Sequence, residues 1–236
     1  MNTLSDAFMQ AGALLAGFDA DLLQIVGLSL RVSLTAVAAA CLVGFPLGAA
    51  VALFKFPGRG AVSLLLNTFM GLPPVVVGLL VYLMLSRSGP LGVLGLLFTP
   101  TAMIIAQALL VTPIVAALTR QIVADLWREY SEHMRSIDAG PGARLTTLIY
   151  DARFSLMTAA LAGFGRAIAE VGAVMIVGGN IDHATRVMTT AIALETSKGN
   201  LAAALALGFV LLTIALAVNL VVQVSNSVAT RKAALV

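Results

Sequence analysis

The sequence predicts an all-α integral membrane protein with five transmembrane helices and a short N-terminal interfacial helix. Three observations carry that reading. The 236 residues are 60% hydrophobic and 11% charged, with mean hydropathy +1.01. A soluble domain carries about 25% charged residues, and a chain this apolar cannot cover its surface with polar groups. Five nearly uncharged runs each reach the roughly 20 residues that cross a bilayer. None of these runs alternates polarity as a barrel strand would, so in lipid the backbone must satisfy itself as helix.

At the N-terminus, Leu4, Ala7, Phe8, Ala11, Leu14, Leu15 and Phe18 recur at helical spacing, which fits a helix lying in the interface. Asp19 and Asp21 separate it from the first span, Val32–Phe54, which ends at Lys55-Phe56-Pro57-Gly58-Arg59-Gly60. The second run, Ala61–Ser86, contains Pro73 and Pro74 between Gly71 and Gly78. Two adjacent prolines remove backbone donors, so this span is expected to bend, with glycines allowing close packing. In the third run, Gly92–Thr119, Pro100 sets the start of the helix near Thr99. The fourth, roughly Phe154–Val177, carries Arg166 and Glu170; the fifth is roughly Leu201–Val224, before Arg231-Lys232. Arg166 and Glu170 are four apart and are expected to share one helix face. Ionisable groups within a span are costly and face a bundle interior or a wet cavity.

Between the third and fourth spans lies a segment of different character. Residues 120–153 hold 10 of the 25 charged side chains. Arg120 to about Asp138 reads as one helix with Trp127 and Tyr130 as bulky anchors; Gly140-Pro141-Gly142 stops it, and Ala143 to about Arg153 restarts. Connections between spans are usually short, so a charged helical hairpin this long points to docking of a soluble partner rather than to an ordinary solvated loop. With this segment on the cytoplasmic side, nine Lys and Arg residues lie inside (Lys55, Arg59, Arg120, Arg128, Arg135, Arg144, Arg153, Arg231 and Lys232) and three outside (Arg87, Arg186 and Lys198). The N-terminus is therefore expected outside and the C-terminus in the cytoplasm. Asn180, His183, Thr185, Arg186 and Thr190 then fall in an outer loop, read as solvated.

Several function classes are disfavoured. Cys41 is the only cysteine, which excludes an intrachain disulfide and a cysteine metal site. His133 and His183 are far apart, and no Gly-x-x-x-x-Gly-Lys-[Ser/Thr] loop or Ser/His/Asp arrangement occurs, so neither a cofactor nor an enzyme is expected. The net charge of +3 is spread through membrane loops and does not suggest nucleic acid. No Lys or Arg precedes Arg31, so the basic start of a signal peptide is missing. No soluble domain is read at either end, and residues 1–236 are expected to form a single transmembrane domain.

Leu28-Ser29-Leu30-Arg31-Val32-Ser33, Phe45-Pro46-Leu47-Gly48, Gly71-Leu72-Pro73-Pro74-Val75-Val76-Val77-Gly78 and Gly165-Arg166-Ala167-Ile168-Ala169-Glu170-Val171-Gly172-Ala173 follow one another in the order found in molybdate-type permeases. Over about residues 25–225 the chain resembles the inner-membrane permease subunits of binding-protein-dependent ABC importers. Their cytoplasmic loop carries a Glu-Ala-Ala…Gly pattern followed by Ile-x-Leu-Pro. Setting the glycine on Gly140 puts Met134, Arg135 and Ser136 at the Glu-Ala-Ala positions, and Tyr150, Ala152 and Arg153 at the Ile, Leu and Pro positions. Only the glycine is kept, and Asp151-Ala152-Arg153-Phe154 is more similar to tungstate permeases.

The resemblance implies a type I importer permease fold in the bacterial or archaeal cytoplasmic membrane. It implies a homodimer, a cytoplasmic ATP-binding subunit, and a periplasmic or lipid-anchored oxyanion-binding protein as partners. It puts ATPase docking on Glu132, His133, Met134, Arg135, Ser136, Asp138 and Gly140. Pro73 and Pro74 could form a gate or a structural kink, and Arg166 and Glu170 could line the path or act as a structural pair. The implied cargo is an oxyanion, tungstate first, with molybdate, sulfate or another small ligand as alternatives. A stand-alone secondary transporter would show internal repeats, and none is found.

Overall fold

The computed structural model describes residues 9–12, 17 and 20–233, the side chains of 222 and 224–233 apart. Every regular element among them is helical: α1 (Ala20–Leu53), α2 (Arg59–Met70), α3 (Pro74–Leu85), a 3₁₀ turn (Gly92–Leu94), α4 (Pro100–Ser136), α5 (Pro141–Asp151), α6 (Arg153–Ile168), α7 (Gly172–Gly178), α8 (Met188–Ser197) and α9 (Leu201–Ala233). α1, α4 and the described part of α9 are each long and apolar enough to cross a membrane, and the broken pairs α2–α3 and α6–α7 raise the number to as many as five. The expected N-terminal interfacial helix lies for the most part outside the described residues.

The chain folds as two compact units. One draws on residues up to Thr35, on Pro73–Gln107 and on Ile168–Ala217; the other draws on Ala36–Leu72, on Ala108–Ala167 and on residues from Val218. α1 begins at Ala20, earlier than the expected Val32, with Asp21 in its first turn where a carboxylate favours the helix dipole. Its far end is closed by a side chain. Gly58 turns the chain at φ 86°, and Arg59 donates to the Val51 and Ala52 carbonyls, both at 2.8 Å. A guanidinium there satisfies carbonyls that have no partner within the helix.

In the unit that holds the charged hairpin, α1 and α4 pack closely through glycine. A Cβ on Gly44 would lie 2.9 Å from Val115 Cγ1, and one on Gly48 would lie within 2.3 Å of the Ala116 carbonyl oxygen and 2.8 Å of Thr119 Cβ. Gly44 and Gly48 form the small-xxx-small spacing by which membrane helices gain van der Waals contact where lipid offers no hydrophobic drive. Gly163 of α6 meets Val111 and Val115 in the same way.

The expected helix over 120–138 is not a separate element. α4 runs unbroken for 37 residues, so the third span and the charged segment share one ladder. At about 1.5 Å per residue this is about 55 Å, well past the roughly 30 Å of hydrocarbon. α5 folds back along it. Leu148 is fully buried with Val123, Ala49 and Ala52, and Leu145, Ile149, Trp127 and Tyr130 pack around them. Leu145, Leu148 and Ile149 share the inward face of α5 at helical spacing, and Arg144 lies 5.7 Å from the Trp127 ring centre.

The packing at Gly48 generates a test. Gly48→Val should overpack α1 against α4 and cost about 1–3 kcal/mol. The expected result is a lower melting temperature in detergent, while Gly27→Ala, whose Cβ would meet nothing within 4 Å, leaves it unchanged.

Candidate functional site

Two places gather the residues singled out from the sequence. The first is the tip of the hairpin. α4 ends in a Schellman motif. Asp138 takes the left-handed conformation at φ 46°, its N–H donates to the Arg135 carbonyl at 3.1 Å, and the Ala139 N–H donates to the Met134 carbonyl at 3.0 Å. The helix therefore stops at an aspartate rather than at the Gly-Pro-Gly run. Gly140 has ordinary negative φ and caps α5, with Pro141 at its first position. Proline suits that position because its missing N–H would have had no partner there. Glu132, His133, Arg135, Ser136, Asp138 and Gly140 are exposed, and Met134 is buried. A Cβ on Gly140 would meet nothing within 4 Å. The tip is thus a defined, polar surface whose glycine is not required by the chain's own packing.

The second place is where two helix breaks meet. The prolines interrupt the second run as expected: Pro73 is the N-cap of α3 and Pro74 its first residue. The fourth run breaks as well. α6 ends at Ile168, so Glu170 lies in the break and does not share a helix face with Arg166. No proline marks that break, and spacing alone could not reveal it. Glu170 is 4% exposed, and its carboxylate accepts the Ala173 N–H at 3.1 Å, capping α7. Its carbonyl accepts the Thr189 hydroxyl at 2.7 Å. Gly172 lets the breaks touch, since a Cβ there would lie 2.9 Å from Val75 Cγ2. Farther along, Gly78 of α3 sits on the Ala173 backbone, 2.7 Å from Cα to the position of a Cβ.

Glu170 also lines a cavity of about 10 Å³ with Ser29, Ser33, Gln107 and Thr189, room for about one water. None of these four was read as a site residue from the sequence, although Ser29 and Ser33 stand four apart within the motif at residues 28–33. Ser29 accepts the Met188 N–H at 2.8 Å and so ties α8 to α1.

The segment expected to form a solvated outer loop is only partly exposed. Thr185 and Thr190 are buried at 1% and 0% exposure. Thr185 donates to the Gly178 carbonyl at 2.6 Å and accepts the Ile181 N–H at 2.9 Å. His183 is exposed and pairs with Gln24 at 2.9 Å. Arg186 bridges Asp182 at 2.6 Å, and Lys198 bridges Glu195 at 2.9 Å. The Lys198 hydrogen bond holds the Glu195 carboxyl below the usual carboxylate range. Among the described residues, no group of three or more His, Cys, Asp or Glu is arranged to hold a metal.

Residues 44–229 match the family model for the binding-protein-dependent transport system inner membrane component. The chain belongs to this family. It is 43% identical to the tungstate uptake system permease protein TupB of Peptoclostridium acidaminophilum, over 94% of this chain and 97% of that one. A probable anion ABC transporter permease protein of Haloferax volcanii is 42% identical over 84% and 88%. The tungstate uptake system permease protein TupB of Campylobacter jejuni is 38% identical over 94% and 92%. As an inner membrane component of a binding-protein-dependent system, the chain is a multi-pass transport subunit and not an enzyme. Membership implies a separate ATPase and a substrate-binding protein as partners.

Removing the buried cap tests the local structure. Glu170→Ala should cost about 1–2 kcal/mol through the lost acceptor, and Glu170→Gln should recover part of it. Thermal unfolding in detergent reads both.

Proposed function

We propose that this chain is the membrane-spanning permease subunit of an ATP-driven importer of an oxyanion, with tungstate as cargo. The observation that carries the cargo is the pair of relatives named tungstate uptake permeases, 43% and 38% identical over 94% of the chain each. Relatives named for molybdenum and sulfate transport are more distant. Molybdate or sulfate is the second reading, kept by those relatives.

Counting each broken pair as one span gives five, which puts the termini on opposite sides, N-terminus outside and C-terminus cytoplasmic by the distribution of Lys and Arg. The whole chain acts as one permease domain, a reading supported by α1, α4 and α9, each of which contributes residues to both compact units. Five spans are few for a path, so two copies form a homodimer with the path at the two-fold axis. The hairpin within 120–153 docks on the ATPase through its tip, Glu132, His133, Met134, Arg135, Ser136, Asp138 and Gly140. Met134 contributes from beneath as a buried support, and the exposed members supply the contact. Nucleotide binding favours one arrangement of the ATPase pair, and the hairpins pass that preference to the bundle as a shift between inward and outward openings. Pro73 and Pro74, with Arg166 and Glu170, mark the two breaks where a span can open at the path. A binding protein held outside the membrane delivers the anion.

Two experiments test this. In a strain lacking the gene, the wild-type chain should restore ATP-dependent uptake of tungstate over molybdate. Deletion of residues 134–142, or Gly140→Val, should abolish uptake with the protein still inserted. Gly140→Ala should leave the melting temperature unchanged. Uptake at the wild-type level by the deletion variant would remove the docking role, and equal uptake of both anions would remove the cargo assignment.

For orientation, a Cys41→Ser background carrying Ser88→Cys should react with a membrane-impermeant maleimide in intact cells. The same background carrying Asp138→Cys should react only after permeabilisation. The reverse pattern would invert the topology.

A further inference from the structure

The segment between α3 and α4 is short of regular structure but tightly wound. Gly89 N–H donates to the Ser86 carbonyl at 2.8 Å, Leu91 N–H to the Met84 carbonyl at 2.9 Å, and Gly92 N–H to the Gly89 carbonyl at 3.1 Å. A Cβ on Gly89 would lie 2.1 Å from the Leu83 carbonyl oxygen, and one on Gly92 would lie 2.3 Å from that of Ser86. Both glycines are therefore required by close backbone approach. The far wall is held as firmly. Phe98 N–H donates to the Val177 carbonyl at 2.9 Å, and its ring meets Tyr82 edge-on at 6.2 Å between centres.

These walls enclose an open pocket of about 620 Å³ lined by Tyr82, Ser86, Arg87, Ser88, Gly92 and Phe98, among others. Three hydroxyl-bearing residues and one arginine line it, and no lining residue is acidic. The Ser86 hydroxyl donates to the Leu83 carbonyl at 3.2 Å, which leaves Tyr82 and Ser88 to donate into the pocket. Hydroxyls and guanidinium N–H groups are the side-chain donors suited to an oxyanion. The other two cations of the expected outer loops are committed elsewhere, Arg186 to Asp182 and Lys198 to Glu195. Among the described residues, Arg87 has no acidic partner.

We propose that this pocket is a reception site for a tetrahedral oxyanion, centred on Arg87 with donors from Tyr82 and Ser88. The inference rests on the reading above that the cargo is an oxyanion and that this loop faces outward. Its volume decides the mode of binding. The pocket is far larger than one tetrahedral anion, so it takes the anion with water around it. A hydrated dianion held by one arginine and hydroxyls is held weakly, which suits a station on a route and not a store.

The test is a calorimetric titration of the purified permease in detergent with sodium tungstate. The wild type should bind, and binding should weaken as salt rises. Arg87→Gln should weaken it about tenfold or more, and Arg87→Lys, which keeps the charge, should lose less. Equal affinity in the wild type and Arg87→Gln, or no binding by the wild type, overturns the site. In vesicles with the ATPase and the binding protein, Arg87→Gln should lower tungstate uptake. Lost binding with unchanged uptake overturns its place on the route. A wild-type complex that imports no oxyanion, while the permease alone still binds tungstate at Arg87, sinks the cargo assignment and leaves the site standing.

Discussion

The continuity of α4 as one helix is the constraint on which the rest of the structure depends. From Pro100 to Ser136 the helix continues past Pro113, which lacks the N–H for one rung, and through the point where apolar sequence gives way to charge. Sharp bends in helices need a cause such as proline or an inserted side chain. The interior proline, Pro113, lies within the apolar part, and none occurs between it and Ser136. The hairpin is therefore an extension of a span and not an appendage hung from it. α5 is fastened to that extension by Leu148 and its neighbours. Outside lipid, burying one leucine contributes about 1.5–3 kcal/mol. Within lipid the same helix is fixed to α1 by the close approach at Gly44 and Gly48.

The broken helix pairs follow a different logic. At Pro73-Pro74 the chain loses a donor and starts a new helix where proline is tolerated. At Glu170 it gains an acceptor, because the carboxylate closes the first turn of α7. A buried carboxylate is expensive unless its oxygens are bonded, and here the N–H of Ala173, left open by the break, supplies one bond. Thr189 and Ser29 add bonds that tie the same region to α8 and α1. The continuous helices are suited to carrying a displacement and the breaks to absorbing one.

Much of this was legible in the sequence. The apolar runs located α1, α4, α6 and α9 because membrane-length hydropathy is a strong signal. Pro73-Pro74 and Gly140-Pro141 marked real boundaries because proline constrains backbone chemistry in any context. Other features were hidden for identifiable reasons. The start of α1 at Ala20 was masked by Asp21, which reads as a boundary but favours a first turn. The break before Glu170 has no proline to announce it. The end of α4 was read near Asp138, where it falls, but the stop was credited to Gly140-Pro141-Gly142, whereas Asp138 makes the left-handed turn, a conformation aspartate tolerates without declaring it. The burial of Thr185 and Thr190 depends on long-range packing that a hydroxyl-rich loop does not reveal.

The open space around Gly140 has a further consequence. The fold is secured by residues that face inward, and of the hairpin tip only Met134 is among them. Substitutions at the exposed tip positions can therefore accumulate without disturbing the core, constrained only by whatever surface they meet. This gives a physical reason why the exposed Arg135 and Ser136 can depart from the Glu-Ala-Ala pattern expected from the resemblance while the surrounding architecture persists. The exposed part of the tip can drift, and the scaffold places no demand on it.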